Sequence, residues 1–455
     1  MNSRKQVELG TDFKSVPYAQ ALTHRGQISN LSPFILLLLL SLCLAQPTLA
    51  DEAAGGAYTL SQAFLDAQAR DARMQAAESR VAEARERLTE ANSLRRPSLT
   101  VSGITGYSHN RSEARFTRIY EGHSYRGRLN FNQNLFTFGR LAGRQRTAEA
   151  QIAEAEFAFE QVRQEVLAEV ARAFSEQLFR ERIYESRRAF EELLGDLEAT
   201  ARSRIELGTL DRTELFEVLR RQHQARAQRI EAQSRYRVAR AQLVRLTGAD
   251  HDDLAATSLA GMEMATPANL DYALNQAENR SPSLLRARMR LEAAEGEHDF
   301  RKAELWPTLS LEVNASAGHF GDIDTRDIVG GVNLSVPVYE GGMKRSQMRS
   351  ARLAVETARR DLAAERELVD INVRSNWDLL QSLVKSLDEF EAAVTDMNEV
   401  VALTGDKLDV GRATFVQHIE ARQDALDVEF ELLDSRLRLE ETRIALLQIL
   451  AELNP

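Results

Sequence analysis

The stretch TLSLEVNASA, Thr308 to Ala317, alternates without a break: Leu309, Leu311, Val313, Ala315 and Ala317 on one side, Thr308, Ser310, Glu312, Asn314 and Ser316 on the other. A period of two marks a β-strand with one apolar and one wet face. Ile328, Gly330, Val332, Leu334, Val336 and Val338 continue the apolar side in a partner strand, against Asn333 and Ser335. The theme also occurs earlier in the chain, with Leu99, Val101 and Tyr107 in one strand. Tyr125, Leu129, Phe131 and Leu135 follow in the next, set against Arg126, Arg128, Asn130, Asn132 and Asn134. Pro97 and Pro307 stand at strand starts, where a missing N–H is tolerated. The pattern predicts two hairpins, at about 98–138 and about 308–340, with roughly ten residues per strand, the length that crosses an outer membrane. Closed membrane barrels have at least eight strands, and an open edge in lipid leaves backbone groups unpaired. Four strands from one chain are too few, so several chains must share a barrel. Two, three or four copies would supply eight, twelve or sixteen strands, and arithmetic does not choose among them.

Each hairpin sits at the same place in an internal repeat. A shift of 210 positions lays Leu60 on Leu270, Ala63 on Ala273, Ala77 on Ala287, Arg80 on Arg290 and Pro97 on Pro307 without a gap. Further on the shift is 203, and Asn130 falls on Asn333, Gly139 on Gly342, Phe174 on Trp377, Gly208 on Gly411 and Leu243 on Leu446. Each copy reads helix, two strands, long helix, turn, long helix. The helices are written as heptads: Leu426, Phe430, Leu433, Leu437, Ile444 and Leu447 follow a coiled-coil seam broken at Glu440. Met74, Val81 and Leu88 keep the same grid, as do Ile152, Phe159 and Val166, and Leu362, Val369, Leu383, Phe390 and Met397. Narrow stripes of this kind pack as long antiparallel pairs. The stretch from about 140 to 207 would reach roughly 100 Å as a helix, which makes the helical part a rod or a tube. The expected organisation is a first repeat over 51–248 with its helical hairpin at 139–248, a linker at 249–268, and a second repeat over 269–455 with its helical hairpin at 341–453.

Ahead of the repeats lies FILLLLLSLCLA, Phe34 to Ala45, an apolar run too short to span a bilayer and followed by Thr48-Leu49-Ala50. It reads as a secretory signal peptide over 1–50, cleaved after Ala50. The one cysteine, Cys43, falls inside it and is preceded by Leu42 rather than the small residue that lipidation requires, so the exported chain is expected to lack cysteine and disulfides. No later run approaches the length of a transmembrane helix, so contact with a membrane must be made by a barrel or a surface element. The 455 residues carry 58 basic and 68 acidic side chains, a net charge of -10 that argues against nucleic acid as a partner. The 8 histidines form no i, i+4 zinc pair, and neither a GxSxG elbow nor a phosphate loop ending in Gly-Lys-Ser/Thr occurs. No enzymatic activity, metal or cofactor is expected.

Signal peptide, twofold repeat, strand pairs between heptad helices, and two glycine turns together resemble the TolC family of outer-membrane efflux proteins. The turns are ELGTLDRTEL, Glu206 to Leu215, and DVGRATFV, Asp409 to Val416. The resemblance covers residues 58–453. It implies a mixed α/β membrane protein: a homotrimer whose twelve strands form one barrel in outer-membrane lipid, continuous with a twelve-helix barrel through the periplasm. It implies passive conduction out of the cell, driven by an inner-membrane transporter joined through a periplasmic adaptor (membrane fusion protein), in small-molecule efflux or one-step protein secretion. It also implies that the adaptor docks at the turns Gly208, Thr209, Leu210, Asp211 and Gly411, Arg412, Ala413, Thr414. The family's two acidic constriction positions fall on Gln417 and Glu420. Gln417 departs from the pattern, which leaves Glu420 as the ring carboxylate, helped by Glu214. Ala413 and Leu408 stand where the type member carries an arginine and a tyrosine, so its closing latch does not carry over intact. The rival readings are a structural or adhesive periplasmic coiled coil, which needs no alternating hairpins, and an adaptor of the same pumps, whose plan is not a duplication.

Overall fold

The computed structural model describes residues 57–112, 118–250, 254, 267–320 and 323–454. The signal peptide and most of the expected linker at 249–268 lie outside the described residues. The chain runs α1 (Leu60–Arg70), α2 (Ala72–Ser93), β1 (Ser98–Ser112), β2 (Arg118–Phe136), α3 (Arg140–Glu206), α4 (Arg212–Thr247), α5 (Leu270–Arg280), α6 (Pro282–Ala303), β3 (Thr308–Phe320), β4 (Ile323–Ser335), α7 (Met343–Asp409) and α8 (Phe415–Leu450). Helix lengths match pair by pair: 11 residues in α1 and α5, 22 in α2 and α6, 67 in α3 and α7, 36 in α4 and α8. Among the described residues no helix is long and apolar enough to cross a membrane.

Three expectations need correction. The single helix before each hairpin is two helices, divided at Asp71, which is extended, and at Ser281, whose ψ of 118° is not helical. Asp71 caps α2, its carboxylate accepting from the Arg73 N–H at 2.7 Å, while Pro282 disfavours helical backbone at Ser281. The strands are longer than ten residues, at 15, 19, 13 and 13. The apolar side of β4 stops short of Val336 and Val338: the strand ends at Ser335, and past Pro337 the Val338 side chain is 90% exposed.

The strands form one antiparallel sheet in the order β1-β2-β3-β4. Its register places Val101 beside Leu129, Leu129 beside Ala315 and Ala315 beside Ile328, so one face is apolar across all four strands. Among the described residues the outer edges of β1 and β4 pair with no other strand.

Three apolar clusters hold the helices. The first joins α1 (Leu60, Phe64), the middle of α3 (Val166, Leu167, Val170, Phe174) and the ends of α4 (Leu243, Leu246) and α8 (Ile444, Leu447). The Gln164 carboxamide fastens the C-terminal tail there, donating to the Leu453 carbonyl at 3.0 Å and accepting from its N–H at 3.2 Å. A second cluster lies at the far ends of α3, α4, α7 and α8, and a third joins α5, α7 and α8. An ion-pair chain runs from Asp71 to Arg73 to Glu169 to Arg245 and ties the α1–α2 break to α3 and α4. Nearer the sheet, α3 and α6 touch backbone to backbone: a Cβ on Gly143 would lie 2.6 Å from the Phe300 nitrogen, and one on Gly296 2.8 Å from the Thr147 nitrogen.

Glu440, the break in the heptad, is 7% exposed. One carboxylate oxygen accepts from Arg443 at 3.0 Å and the other is enclosed without a partner. Burial pushes this carboxyl above its ordinary range, against the pull of Arg443. A carboxyl that holds its proton more tightly in the folded chain favours folding in acid, and that contribution is lost as pH rises through the folded value. Glu440→Gln is therefore expected to melt above the unsubstituted protein near neutral pH. The gain should vanish below about pH 4, where both carry a neutral side chain; melting curves across pH in detergent measure it.

Candidate functional site

Two parts of the fold carry the functional geometry: the turns that join the long helices, and the two faces of the sheet. The turn after α3 is closed by Gly208 at φ +70°. The Gly208 N–H donates to the Ile205 carbonyl at 2.9 Å and the Thr209 N–H to that of Arg204 at 2.9 Å, which satisfies the free carbonyls at the helix end. Asp211 then caps α4 by accepting from the Thr213 N–H at 3.2 Å. The turn after α7 repeats this chemistry, with Gly411 at φ +72° and the Arg412 N–H on the Lys407 carbonyl at 2.7 Å. Thr414 opens α8 with a reciprocal cap: its hydroxyl accepts from the Gln417 N–H at 3.2 Å and the Gln417 carboxamide accepts from the Thr414 N–H at 3.0 Å.

The fold brings the two turns together. Leu210 and Ala413 both pack on the cluster of Phe190, Leu194, Leu408, Phe415 and Ile419. Leu207 and Val410, equivalent in the repeat, stand at the tip 74% and 68% exposed. Gln417 is exposed and engaged as a cap. Glu420 is exposed too, and its carboxylate accepts from Arg221 of α4 at 2.8 Å. Glu214 is half-buried with one carboxylate oxygen enclosed and unpartnered.

Sequence reasoning missed two arginines that bridge the helix pairs. Arg221 also donates to Gln423 of α8 at 2.8 Å. Arg204 lies 5.2 Å from the centre of the Phe415 ring and reaches the Leu408 carbonyl at 3.5 Å. Nothing in the sequence separates them from their many arginine neighbours, because only the docking of α3 and α4 on α7 and α8 selects them.

The sheet has two unlike faces. On the wet face the Asn130 amide donates to Asn314 at 2.7 Å, and Glu312 accepts from Asn132 at 3.2 Å, Asn333 at 3.0 Å and Ser310 at 3.3 Å. Ile104 and Val329 are apolar exceptions on that side. The other face exposes Leu99, Val101, Leu129, Ile328, Val332 and Leu334. Aromatic groups bound it at both ends. Phe136 meets Phe138 edge to face with centroids 4.6 Å apart and Phe138 stacks on Trp306 at 5.9 Å, and at the opposite end Tyr125 lies on His319 at 5.5 Å. From Tyr125 to Phe136 is about 37 Å along the strand; at a tilt near 45° that is about 26 Å, close to the height of an outer-membrane apolar band.

An apolar band between aromatic girdles, backed by a hydrogen-bonded polar wall and continued by helices about 100 Å long, defines an outer-membrane channel protein. The model of the outer membrane efflux protein family matches residues 65–249 and 273–452, and the chain belongs to that family. It is 24% identical over 360 residues to outer membrane protein TolC of Vibrio cholerae, covering 77% of this chain and 81% of that one. It is 26% identical over 310 residues to alkaline protease secretion protein AprF of Pseudomonas aeruginosa, covering 66% and 64%. The solved structure of the outer membrane protein VceC from Vibrio cholerae has the same fold, with a TM-score of 0.74 at 18% identity over 86% of this chain and 96% of that one. The protein is an outer-membrane exit duct that extends into the periplasm.

No atom lies within 4 Å of a Cβ built on Gly208 or Gly411, so substitution there strains only the backbone. Gly208→Ala and Gly411→Ala are each expected to lower stability by about 1 kcal/mol, and the Asn variants by less, since Asn tolerates a left-handed backbone. Thermal melts of the four variants check this order.

Proposed function

We propose that three copies of the chain assemble into one duct, a twelve-stranded barrel in the outer membrane continuous with a helical barrel in the periplasm, through which substrate passes passively. The observation that carries the reading is the pair of sheet edges on β1 and β4 that no described strand covers, set in a sheet whose apolar face is exposed. In lipid those edges need a partner, and a second copy supplies one. The helices argue the same way: α7 exposes Leu353, Leu368, Ile371, Leu379 and Leu403, and α4 exposes Phe216, Ile230 and Val238. The number three comes from the family resemblance. Each chain is read as two repeats, 51–248 and 269–455, joined by the linker between them.

At the periplasmic end, the turns Gly208 to Asp211 and Gly411 to Thr414 form the surface on which a periplasmic adaptor docks, coupling the duct to an inner-membrane transporter. Leu207 and Val410 give that surface apolar contacts. Glu420, with Gln417 and Glu214 nearby, lines the constriction at the inner ends of these helices, and Arg221 holds Glu420 against α4. The printed name of AprF refers to secretion of an alkaline protease; protein secretion and small-molecule efflux both fit a duct of this build.

Outer-membrane fractionation and heat-modifiable migration test the assembly. The expected result is a detergent-dependent species of three chains that dissociates on boiling. A single chain that stays soluble without detergent would sink the reading. A second test addresses the tip. Gly208→Trp or Gly411→Trp is expected to abolish export while the assembled species persists, whereas the Asn variants keep export. Equal export by the Trp variants removes docking from these turns.

A further inference from the structure

On the wet face of the sheet, Arg126 and Arg128 of β2 stand apart from the chain's other arginines. On the helices arginine is repeatedly ion-paired, as in Arg146 with Glu295 or Arg290 with Glu154. Arg126 and Arg128 are exposed, and among the described residues neither forms an ion pair or a hydrogen bond with a side chain. The register explains why. Arg126 is flanked by Ile104 on β1 and Gly318 on β3, and Arg128 by Ser102 and Ser316. The acid in these rows is Asp327, which faces Ser316 and so lies two strands from Arg128, roughly 10 Å between backbones. Among the described residues the other acid on this face, Glu312, is about 14 Å down the strand from Arg128 and already accepts hydrogen bonds from Asn132, Asn333 and Ser310. Gly318 deepens the opening at Arg126: a Cβ there would meet the Tyr125 carbonyl at 2.6 Å, so no side chain covers the guanidinium from that strand.

Their height is fixed by the aromatic residues. Arg126 follows Tyr125, whose ring lies on His319 at the end of the apolar band away from the helices. The two guanidiniums therefore sit where the wall leaves the membrane toward the outside. Resting on the shared-barrel reading above, we infer that Arg126 and Arg128 form a cationic collar, six guanidiniums around the outer mouth, that selects for solutes and chain segments bearing carboxylate or phosphate groups. Rings of like charge in a narrow lumen concentrate the opposite ion and set selectivity. The collar stands at the opposite end of the duct from Glu420, so cargo that passes the tip meets a field of the other sign before it leaves.

Planar-bilayer recordings of the assembled protein test this with potassium chloride gradients and with polyglutamate added from the outer side. Arg126→Gln/Arg128→Gln is expected to raise the potassium to chloride permeability ratio about threefold and to abolish polyglutamate block, while Arg126→Lys/Arg128→Lys keeps both. Block of the unsubstituted channel is also expected to weaken about tenfold between 0.1 and 1 M salt, as screening shortens the reach of the ring. Gradient and blocker separate small anions from an acidic chain: a shifted ratio reports the first, and lost block the second. A conducting channel whose ratio and block do not move in the Gln variant, or whose block ignores salt, overturns the collar alone. An unsubstituted protein that never conducts overturns the duct and the collar together.

Discussion

Backbone hydrogen bonding in a medium without water governs this structure. The N–H and C=O groups on the outer edges of β1 and β4 have no partner strand among the described residues, and each would cost several kcal/mol in hydrocarbon if left unpaired. Every other large feature is compatible with that demand being met by another copy. The sheet sets an exposed apolar face against a hydrogen-bonded polar one, and the helices leave apolar side chains on α4 and α7 uncovered.

Much of the architecture was legible in the sequence because its two periods are strong. Alternation from Thr308 to Ala317 gave β3 its face, and the repeat offsets of 210 and 203 reappear in the starts of paired elements, Leu60 with Leu270 and Arg212 with Phe415. What escaped depended on local chemistry that periodicity does not encode. The break at Asp71 is a cap inside a continuous heptad pattern. β4 ends where Pro337 interrupts an alternation that runs on to Val338, so pattern overran structure there. At the tip, the glycines and cap residues were readable from type and spacing, whereas the bridges made by Arg204 and Arg221 were not, since each depends on which helix pair docks beside it.

The helices also show how differently one residue type behaves in two surroundings. Most helical arginines lie within a turn of a glutamate, as Arg202 lies 2.7 Å from Glu198, and such exposed pairs contribute only a few tenths of a kcal/mol each. Arg187 is different: burial lowers its guanidinium below the usual range despite nearby acids, and it rests 4.3 Å from the centre of the Phe430 ring. That contact joins α3 to α8 by stacking as much as by charge.

The glycine contact between α3 and α6 has a mechanical meaning. Where Gly143 meets Phe300 and Gly296 meets Thr147, main chains approach closely, with the short Thr147 side chain set against Gly296. Helices joined in this way resist sliding, because any shift drives a neighbouring side chain into backbone. Beside the sheet, α3 and α6 of one chain are thus locked together, and any flexing of α3 has to arise in the span beyond that contact, as a post set in a footing bends above it.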